Sequence, residues 1–232
     1  MTMENLRKSL PNIITFVSMV CGMVSIAFAL EGHIGIAATF ILASYLLDLV
    51  DGAVARHLDA CSDFGIQLDS LADISNFGVA STVLVWSHLQ AGSVQIWILW
   101  PIGISFVLAG AFRLARFNLS ASNIKPNESM GLTISTSGGY VALAVLADLA
   151  FEGRLLPDVI FLGLLPLLAF LMVSRIRFPE LKAILAKRRM SLALLGTGAI
   201  VAIWLTPQVV WWGLTTGYIS FSLLRAGYRT LM

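Results

Sequence analysis

Long apolar stretches separated by short polar segments make up most of this chain. They run at about 12–30, 34–56, 64–89, 95–117, 130–150, 157–174, 190–205 and 208–225. A helix needs about 20 apolar residues to cross a bilayer. The pattern therefore predicts an all-α, polytopic membrane bundle of about eight transmembrane helices. The last two stretches are short and meet at Thr206-Pro207, so the count falls to six or seven if one of them lies flat.

The N-terminal segment has a different pattern. Met3, Leu6 and Leu10 recur at helical spacing beside basic residues, which predicts an amphipathic helix at the membrane interface over residues 1–11. Pro11 suits the first turn of a new helix. Too few apolar residues precede Pro11 for a cleaved signal peptide, so we expect the first span to be retained.

Composition agrees with a lipid-embedded protein. The chain is 58% hydrophobic and 12% charged, with a mean hydropathy of +0.87, which excludes an ordinary soluble domain. The net charge is only +2, and we expect no nucleic-acid partner. With eight spans, all but Arg154 of the 15 Lys and Arg residues fall on the side that holds both termini. The positive-inside rule then predicts a multi-pass protein of the cell membrane with both termini cytoplasmic.

Four carboxylates interrupt the second and third apolar stretches. A charge at the bilayer midplane costs at least ~2.5 kcal/mol. At 100° per residue, Asp48 and Asp51 share one helical face, and Asp69 and Asp73 share one face of the next helix. Two such faces, antiparallel across a tight turn, would bring all four acids together near the cytoplasmic surface.

Clustered carboxylates repel one another unless a cation compensates them. Oxygen ligands suit Mg²⁺ or Mn²⁺, and two such ions about 3.5–4 Å apart can neutralise a phosphoryl group during displacement. Gly52 fits a close approach of ligand to backbone, and Arg56 can bind a phosphate through its guanidinium fork. The segment 48–73 therefore predicts a two-metal site for phosphoryl chemistry.

The spacing D-x-x-D-G-x-x-A-R, eight residues, then G-x-x-x-D-x-x-x-D resembles the signature of the CDP-alcohol phosphotransferase family. The matching residues are Asp48, Asp51, Gly52, Ala55, Arg56, Gly65, Asp69 and Asp73. The resemblance implies a membrane enzyme that displaces CMP from a CDP-linked lipid with an alcohol. It implies two metal ions held by the four Asp residues, with Asp73 as the base that takes the acceptor's proton.

The same resemblance implies a set of CDP contacts, namely Gly52, Arg56, Ser62, Gly65, Asn12 and Thr15. It also suggests how the chain divides. Residues 1–11 form the interfacial helix, residues 12–150 form the catalytic core, and residues 151–232 supply the remaining helices of the same domain.

Two further segments, FGIQLDSLADISNFGVA (64–80) and FRLARFN (112–118), are similar to the phosphatidylserine synthase branch of the family. That similarity implies CDP-diacylglycerol or a CDP-linked ether lipid as donor and L-serine as acceptor. Arg113 and Arg116 lie three residues apart on one helix face and suit the carboxylate of serine. Where the branch usually carries G-L-P-x-P, residues 131–135 read G-L-T-I-S. We expect this departure to affect the choice of acceptor and the local helix geometry, and not the metal ligands.

Other functions stay open at this stage. The acceptor could be glycerol 3-phosphate, an inositol phosphate or choline. A cation-coupled transporter could also use intramembrane acids, although we find no inverted repeat in the sequence.

Residues outside the motif carry weaker expectations. We expect Asp148 and Asp158 to be solvated near the far interface and His88 to have an interfacial role. The small residues at Gly138-Gly139 and Ala109-Gly110 predict close helix packing and offer a seam for a homodimer.

Overall fold

The computed structural model describes residues 3–90, 94–120, 128–151, 155–179 and 207–231, and these residues are almost entirely helical. The helices are α1 (Met3–Leu30), α2 (Ile34–His57), α3 (Asp63–Asp73), α4 (Ala80–Gln90), α5 (Ile96–Ser120), α6 (Ile134–Leu149), α7 (Asp158–Val173) and α8 (Pro207–Leu231). A π-helical segment, Ile74–Val79, joins α3 to α4. Strands β1 (Glu128–Met130) and β2 (Arg177–Pro179) pair antiparallel as a short ribbon.

Three described helices are long and apolar enough to cross a membrane: Ser9–Leu30, Ile34–His57 and Trp97–Leu119. Ile134–Leu149 and Asp158–Val173 are shorter apolar helices. The all-α, membrane-capable fold is thus confirmed, whereas the predicted count of about eight spans is not. The predicted span at 190–205 lies outside the described residues.

The predicted helix boundary at Pro11 is wrong. Helix α1 continues from Met3 to Leu30 with Pro11 inside it. A proline removes one backbone donor, but residues on both sides of Pro11 keep helical geometry here, so the interfacial segment and the first span form one helix.

Helices α1 and α2 form a tight hairpin. Gly32, at φ +83°, supplies the left-handed turn between them. The hydroxyls of Ser18 and Ser44 meet at 2.8 Å, and the Ser25 hydroxyl donates to the Ala37 carbonyl at 2.8 Å. Small side chains let membrane helices approach closely, and interhelical hydroxyls then hold their register. This contact fixes the acidic face of α2 relative to α1.

The π-helical segment begins directly after Asp73, inside the predicted span 64–89. It buries Asn76, whose Nδ2 donates to the Ser18 hydroxyl at 3.0 Å. Gly22 makes this possible, because a side chain there would overlap the Asn76 amide. The wider turn of the π-helix rotates the helix that follows Asp73 relative to the helix that precedes it. The sequence pattern predicted the span but not this change of pitch.

The glycine-rich positions on α5 and α6 pack within the chain. A Cβ at Gly138 would overlap Phe77, and one at Gly110 would overlap the Ile134 side chain. Close helix packing is therefore confirmed at these positions. The suggested dimer seam is wrong, because the chain's own residues occupy it.

A buried contact between His88 and Asp148 joins α4 to α6, and both helices pack there against the start of α7. His88 Nε2 lies 2.9 Å from Asp148 Oδ2, and Asp148 Oδ1 accepts a hydrogen bond from the Leu156 amide at 2.6 Å. The His88 ring also packs edge-on against Phe161 at 5.1 Å. Both polar side chains are almost fully buried. The expectation that Asp148 is solvated and His88 interfacial is thus wrong, because the fold pairs residues that lie 60 positions apart.

Replacing Asp148 with Ala should destabilise the fold by about 1–3 kcal/mol, because His88 and the Leu156 amide would lose a buried acceptor. Thermal unfolding in detergent measures the effect. His33→Ala is the control, since His33 is exposed and makes no capping bond with its side chain. Equal melting temperatures for Asp148→Ala and the control would contradict the role of this pair.

Candidate active site

All four predicted acids line one cavity of about 760 Å³. Its walls come from α1, α2, α3, α5, α6 and α8, together with the β1–β2 ribbon. Contacts group part of its lining into two ends. At one end the start of α1 meets the α2–α3 turn, where Gly65 lies close to Asn12 and Ser62. At the other end Ser135 of α6 contacts Asp73, and Arg113 of α5 contacts Ser129 of the ribbon.

Three of the acids converge closely. Asp48, Asp51 and Asp69 each offer a carboxylate oxygen, and these oxygens lie within 4.8 Å of one another. A magnesium ion with ligands at about 2.1 Å spans oxygens up to about 4.2 Å apart, so small side-chain movements would close the set around one ion. An all-oxygen donor set also fits Mg²⁺ or Mn²⁺ by its chemistry. The cluster therefore fits a hard divalent cation.

Asp73 lines the same cavity but stands beside the three-oxygen cluster. It is buried, and its Oδ1 accepts a hydrogen bond from the Ser135 hydroxyl at 3.2 Å. The structure thus brings the four acids to one cavity, with Asp73 outside the set of three converging oxygens and hydrogen-bonded to Ser135. The metal-ligand and base roles of these residues stay predictions.

The turn between α2 and α3 makes the acidic faces meet. Asp59 adopts a left-handed conformation at φ 50°, and Ser62 caps α3 by accepting a hydrogen bond from the Gly65 amide at 3.1 Å. An N-cap of this kind starts the next helix at a defined residue. The chain reverses within a few residues, so Asp51 and Asp69 face each other across the turn.

The predicted CDP contacts line the same cavity as the acids. They are Asn12, Thr15, Gly52, Arg56, Ser62 and Gly65. A Cβ on Gly52 would lie 3.4 Å from the Arg56 guanidinium, so Gly52 leaves space for that side chain to lie over α2. A Cβ on Gly65 would lie 3.2 Å from both Asn12 Oδ1 and the Ser62 hydroxyl. Gly65 thereby lets α3 approach the start of α1.

Thr15 has a partner that the sequence did not indicate. Its hydroxyl lies 2.8 Å from Asp51 Oδ2 and 3.1 Å from the Pro11 carbonyl, and the residue is buried. A hydroxyl that donates to a metal-binding carboxylate fixes the carboxylate's orientation. The observed contact of Thr15 is therefore with Asp51, while its predicted contact with the nucleotide stays a prediction.

Arg113 and Arg116, predicted as a pair, have different surroundings. Arg113 is buried, lines the cavity, and donates through Nη2 to the Ser129 hydroxyl at 2.8 Å. Arg113 is therefore in position to meet a substrate.

Arg116 instead binds backbone. Its guanidinium donates to four carbonyls at 2.8–3.2 Å, those of Met130, Met172, Val173 and Ser174. Three of them belong to the C-terminal end of α7, where carbonyls lack helical partners and the helix dipole favours a cation. Arg116 is outside the cavity wall. The observed contacts of Arg116 are therefore with these carbonyls, while its contact with the acceptor stays a prediction.

Sequence reasoning missed a hydroxyl-rich wall at the Asp73 end. Its members are Tyr45, Ser129, Thr133, Ser135, Thr136 and Tyr218. They come from α2, α6, α8 and the ribbon, and most lie far from the motif in sequence. The one available signal was the altered G-L-T-I-S segment, which places two hydroxyls where the resembled branch has prolines.

Comparison with known proteins agrees with the motif. A model of the CDP-alcohol phosphatidyltransferase family matches residues 8–173. The chain is 38% identical over 177 residues to the CDP-diacylglycerol–serine O-phosphatidyltransferase of Helicobacter pylori (strain J99). The aligned residues cover 75% of this chain and 73% of that protein. It is 34% identical over 177 residues to the protein of the same name from Bacillus subtilis (strain 168), covering 75% of this chain and 91% of the relative.

A third relative is archaeal. The CDP-diacylglycerol–serine O-phosphatidyltransferase of Methanocaldococcus jannaschii is 33% identical over 142 residues, which is 61% of this chain and 63% of that protein. The family match covers more than half of the sequence and includes the whole acidic cavity motif. The chain is a member of the CDP-alcohol phosphatidyltransferase family of membrane enzymes.

Proposed function

We propose that this enzyme transfers the phosphatidyl group of a CDP-diacylglycerol, or of a CDP-linked ether lipid, to the hydroxyl of L-serine, releasing CMP. The observation that carries the proposal is that one cavity is lined by the four acids, by Gly52 and Arg56 of the motif, and by Arg113 with a set of hydroxyl-bearing residues. The shared name of the bacterial and archaeal relatives supports serine as the acceptor.

The donor's nucleotide belongs at the α1 and α2–α3 end. Gly52 leaves space for the Arg56 guanidinium, which lies over it and is suited to phosphate. Asp48, Asp51 and Asp69, together with Asp73, would hold two divalent ions, Mg²⁺ or Mn²⁺. Such ions, when bound, orient a pyrophosphate and neutralise its charge as CMP leaves.

The acceptor belongs at the hydroxyl-rich end. Arg113 offers a buried guanidinium for the serine carboxylate, and a charge-assisted pair of this kind is strong. Asp73 takes the proton of the acceptor hydroxyl as its oxygen attacks the lipid-side phosphorus. The bond between that phosphorus and the CMP oxygen breaks, and CMP leaves with the electron pair. Each of these residues lines the cavity.

The membrane setting follows from charge and hydropathy. We infer a multi-pass protein of the cell membrane with both termini and the active site on the cytoplasmic side, which suits a nucleotide product and a soluble acceptor. The lipid donor would enter sideways from the bilayer. Phe178 and Tyr218 line the cavity, which supports residues 151–232 as part of the same domain as the 12–150 core. We also propose a homodimer.

Purified enzyme in detergent, with Mg²⁺ or Mn²⁺, should release CMP from CDP-diacylglycerol in the presence of serine. The same assay with glycerol 3-phosphate, an inositol phosphate and choline tests the acceptor. Release with one of these and not with serine would contradict serine as acceptor. A complete lack of release would contradict the proposed reaction.

Asp51→Asn should weaken Mn²⁺ binding at least tenfold, because it removes one of three converging carboxylates and the partner of Thr15. Mn²⁺ titration followed by electron paramagnetic resonance measures the affinity. Asp59→Asn is the matched control, because Asp59 is exposed in the turn and asparagine tolerates its left-handed backbone. Unchanged Mn²⁺ affinity in Asp51→Asn would exclude the cluster as the cation site.

Arg113→Lys should raise the KM for serine about tenfold, with little change in the KM for CDP-diacylglycerol, because lysine keeps the charge but loses the planar fork. Arg116→Lys is the comparison. It should lower the melting temperature, because the four carbonyls at the α7 end lose their common donor. An unchanged serine KM in Arg113→Lys would place the acceptor elsewhere.

A further inference from the structure

The contact between Ser135 and Asp73 joins the altered segment to the acidic motif. Ser135 donates to Asp73 Oδ1 at 3.2 Å, and both residues line the cavity. The contact fixes one of the two carboxylate oxygens of Asp73.

The start of α6 fixes the position of Ser135. Thr133 is the N-cap, and its hydroxyl accepts from the Thr136 amide at 3.3 Å and donates to the Thr136 hydroxyl at 2.6 Å. The cap sets the first helical residue at Ile134, which puts Ser135 in the first turn. A turn held by its own cap presents a side chain in one orientation.

The segment before α6 is held as well. Gly131 has φ +78°, and its amide donates to the Ile176 carbonyl at 2.8 Å. A side chain at Gly131 would overlap the Met172 carbonyl, so the segment packs closely against the end of α7. Arg116 binds carbonyls on both sides of this contact. The chain therefore enters α6 along a fixed path, and Ser135 can orient a partner.

We propose that Ser135 is a positioning residue for Asp73. It holds Oδ1 and so turns Oδ2 toward the acceptor hydroxyl, and it acts only through Asp73. The inference rests on the proposed function, in which Asp73 is the base. A carboxylate rotates easily about its last torsion, and a base displaced by about 1 Å can cost about 100-fold in rate. A proline at this position would supply no such donor.

A direct contact between Ser135 and the acceptor predicts a different result. An acceptor ligand contributes to ground-state binding, so its removal would raise the KM for serine. A residue that orients the base contributes to the chemical step, so its removal lowers kcat with both KM values nearly unchanged.

The test compares Ser135→Ala, Ser135→Thr and Ser137→Ala in the CMP-release assay. Ser135→Ala should lower kcat about 10- to 100-fold with KM values within about twofold of wild type. Ser135→Thr, which keeps the hydroxyl, should restore most of the rate. Ser137 is the matched control in the same helix, because its hydroxyl donates to the Thr133 carbonyl and is outside the cavity wall.

Two measurements do not depend on turnover. CDP affinity in the presence of Mn²⁺, measured by calorimetry, and the melting temperature should fall no further in Ser135→Ala than in Ser137→Ala. A larger fall of either in Ser135→Ala would show a structural role and overturn the proposal. The double variant Ser135→Ala with Asp73→Asn should be no slower than Asp73→Asn alone, because the two residues act as one unit.

The outcomes separate the two proposals. Wild-type kcat in Ser135→Ala, or a raised serine KM at unchanged kcat, would overturn the positioning role and leave the reaction intact. Absence of CMP release from the wild-type enzyme with every acceptor would overturn the proposed function, and the role of Ser135 with it.

Discussion

Repulsion among four carboxylates in an apolar bundle is the constraint on which the rest of this structure depends. Charges of one sign at such short distances in a low-dielectric setting cost several kcal/mol unless cations, hydrogen-bond donors or water compensate them. The fold provides donors at both ends of the cluster, from Thr15 to Asp51 and from Ser135 to Asp73. Arg113 adds a buried positive charge. These groups orient the acids but do not neutralise them, and an oxygen-ligated divalent cation is the compensation that the geometry fits.

The cluster's geometry depends on contacts far from it in the bundle. Ser18 joins α1 to α2 through Ser44 and joins α1 to the π-helical segment through Asn76. Ser18 thereby contacts both α2, which carries Asp48 and Asp51, and the π-helical segment that follows Asp69 and Asp73. The pitch change after Asp73 lets α4 continue toward the His88–Asp148 pair while Asp73 stays directed at the cavity. One continuous helix thus carries both Asp73 at the site and His88 at the opposite end of the bundle.

The sequence predicted what depends on local periodicity. The three- and four-residue spacing of Asp48 with Asp51 and of Asp69 with Asp73 defined two helix faces, and the short turn between them predicted their meeting. It did not predict partners that the tertiary fold brings together. Arg113 and Arg116 share a helix face, yet one reaches the cavity and the other the end of α7. Likewise, Asp148 looked like an interfacial acid because its histidine partner lies 60 residues earlier.

The two ends of the cavity bear on how displacement would occur. In phosphoryl transfer the attacking and leaving oxygens lie roughly in line on opposite sides of the phosphorus. A site for such a reaction therefore needs different chemistry on either side of its charge-stabilising centre. The lining of the cavity offers two such sets of groups. Gly52 and Arg56 come from the motif itself, whereas Arg113 and Ser135 come from elements outside it. Variation in α5, α6 and the ribbon could thus change the acceptor while the donor side and the acids stay as they are.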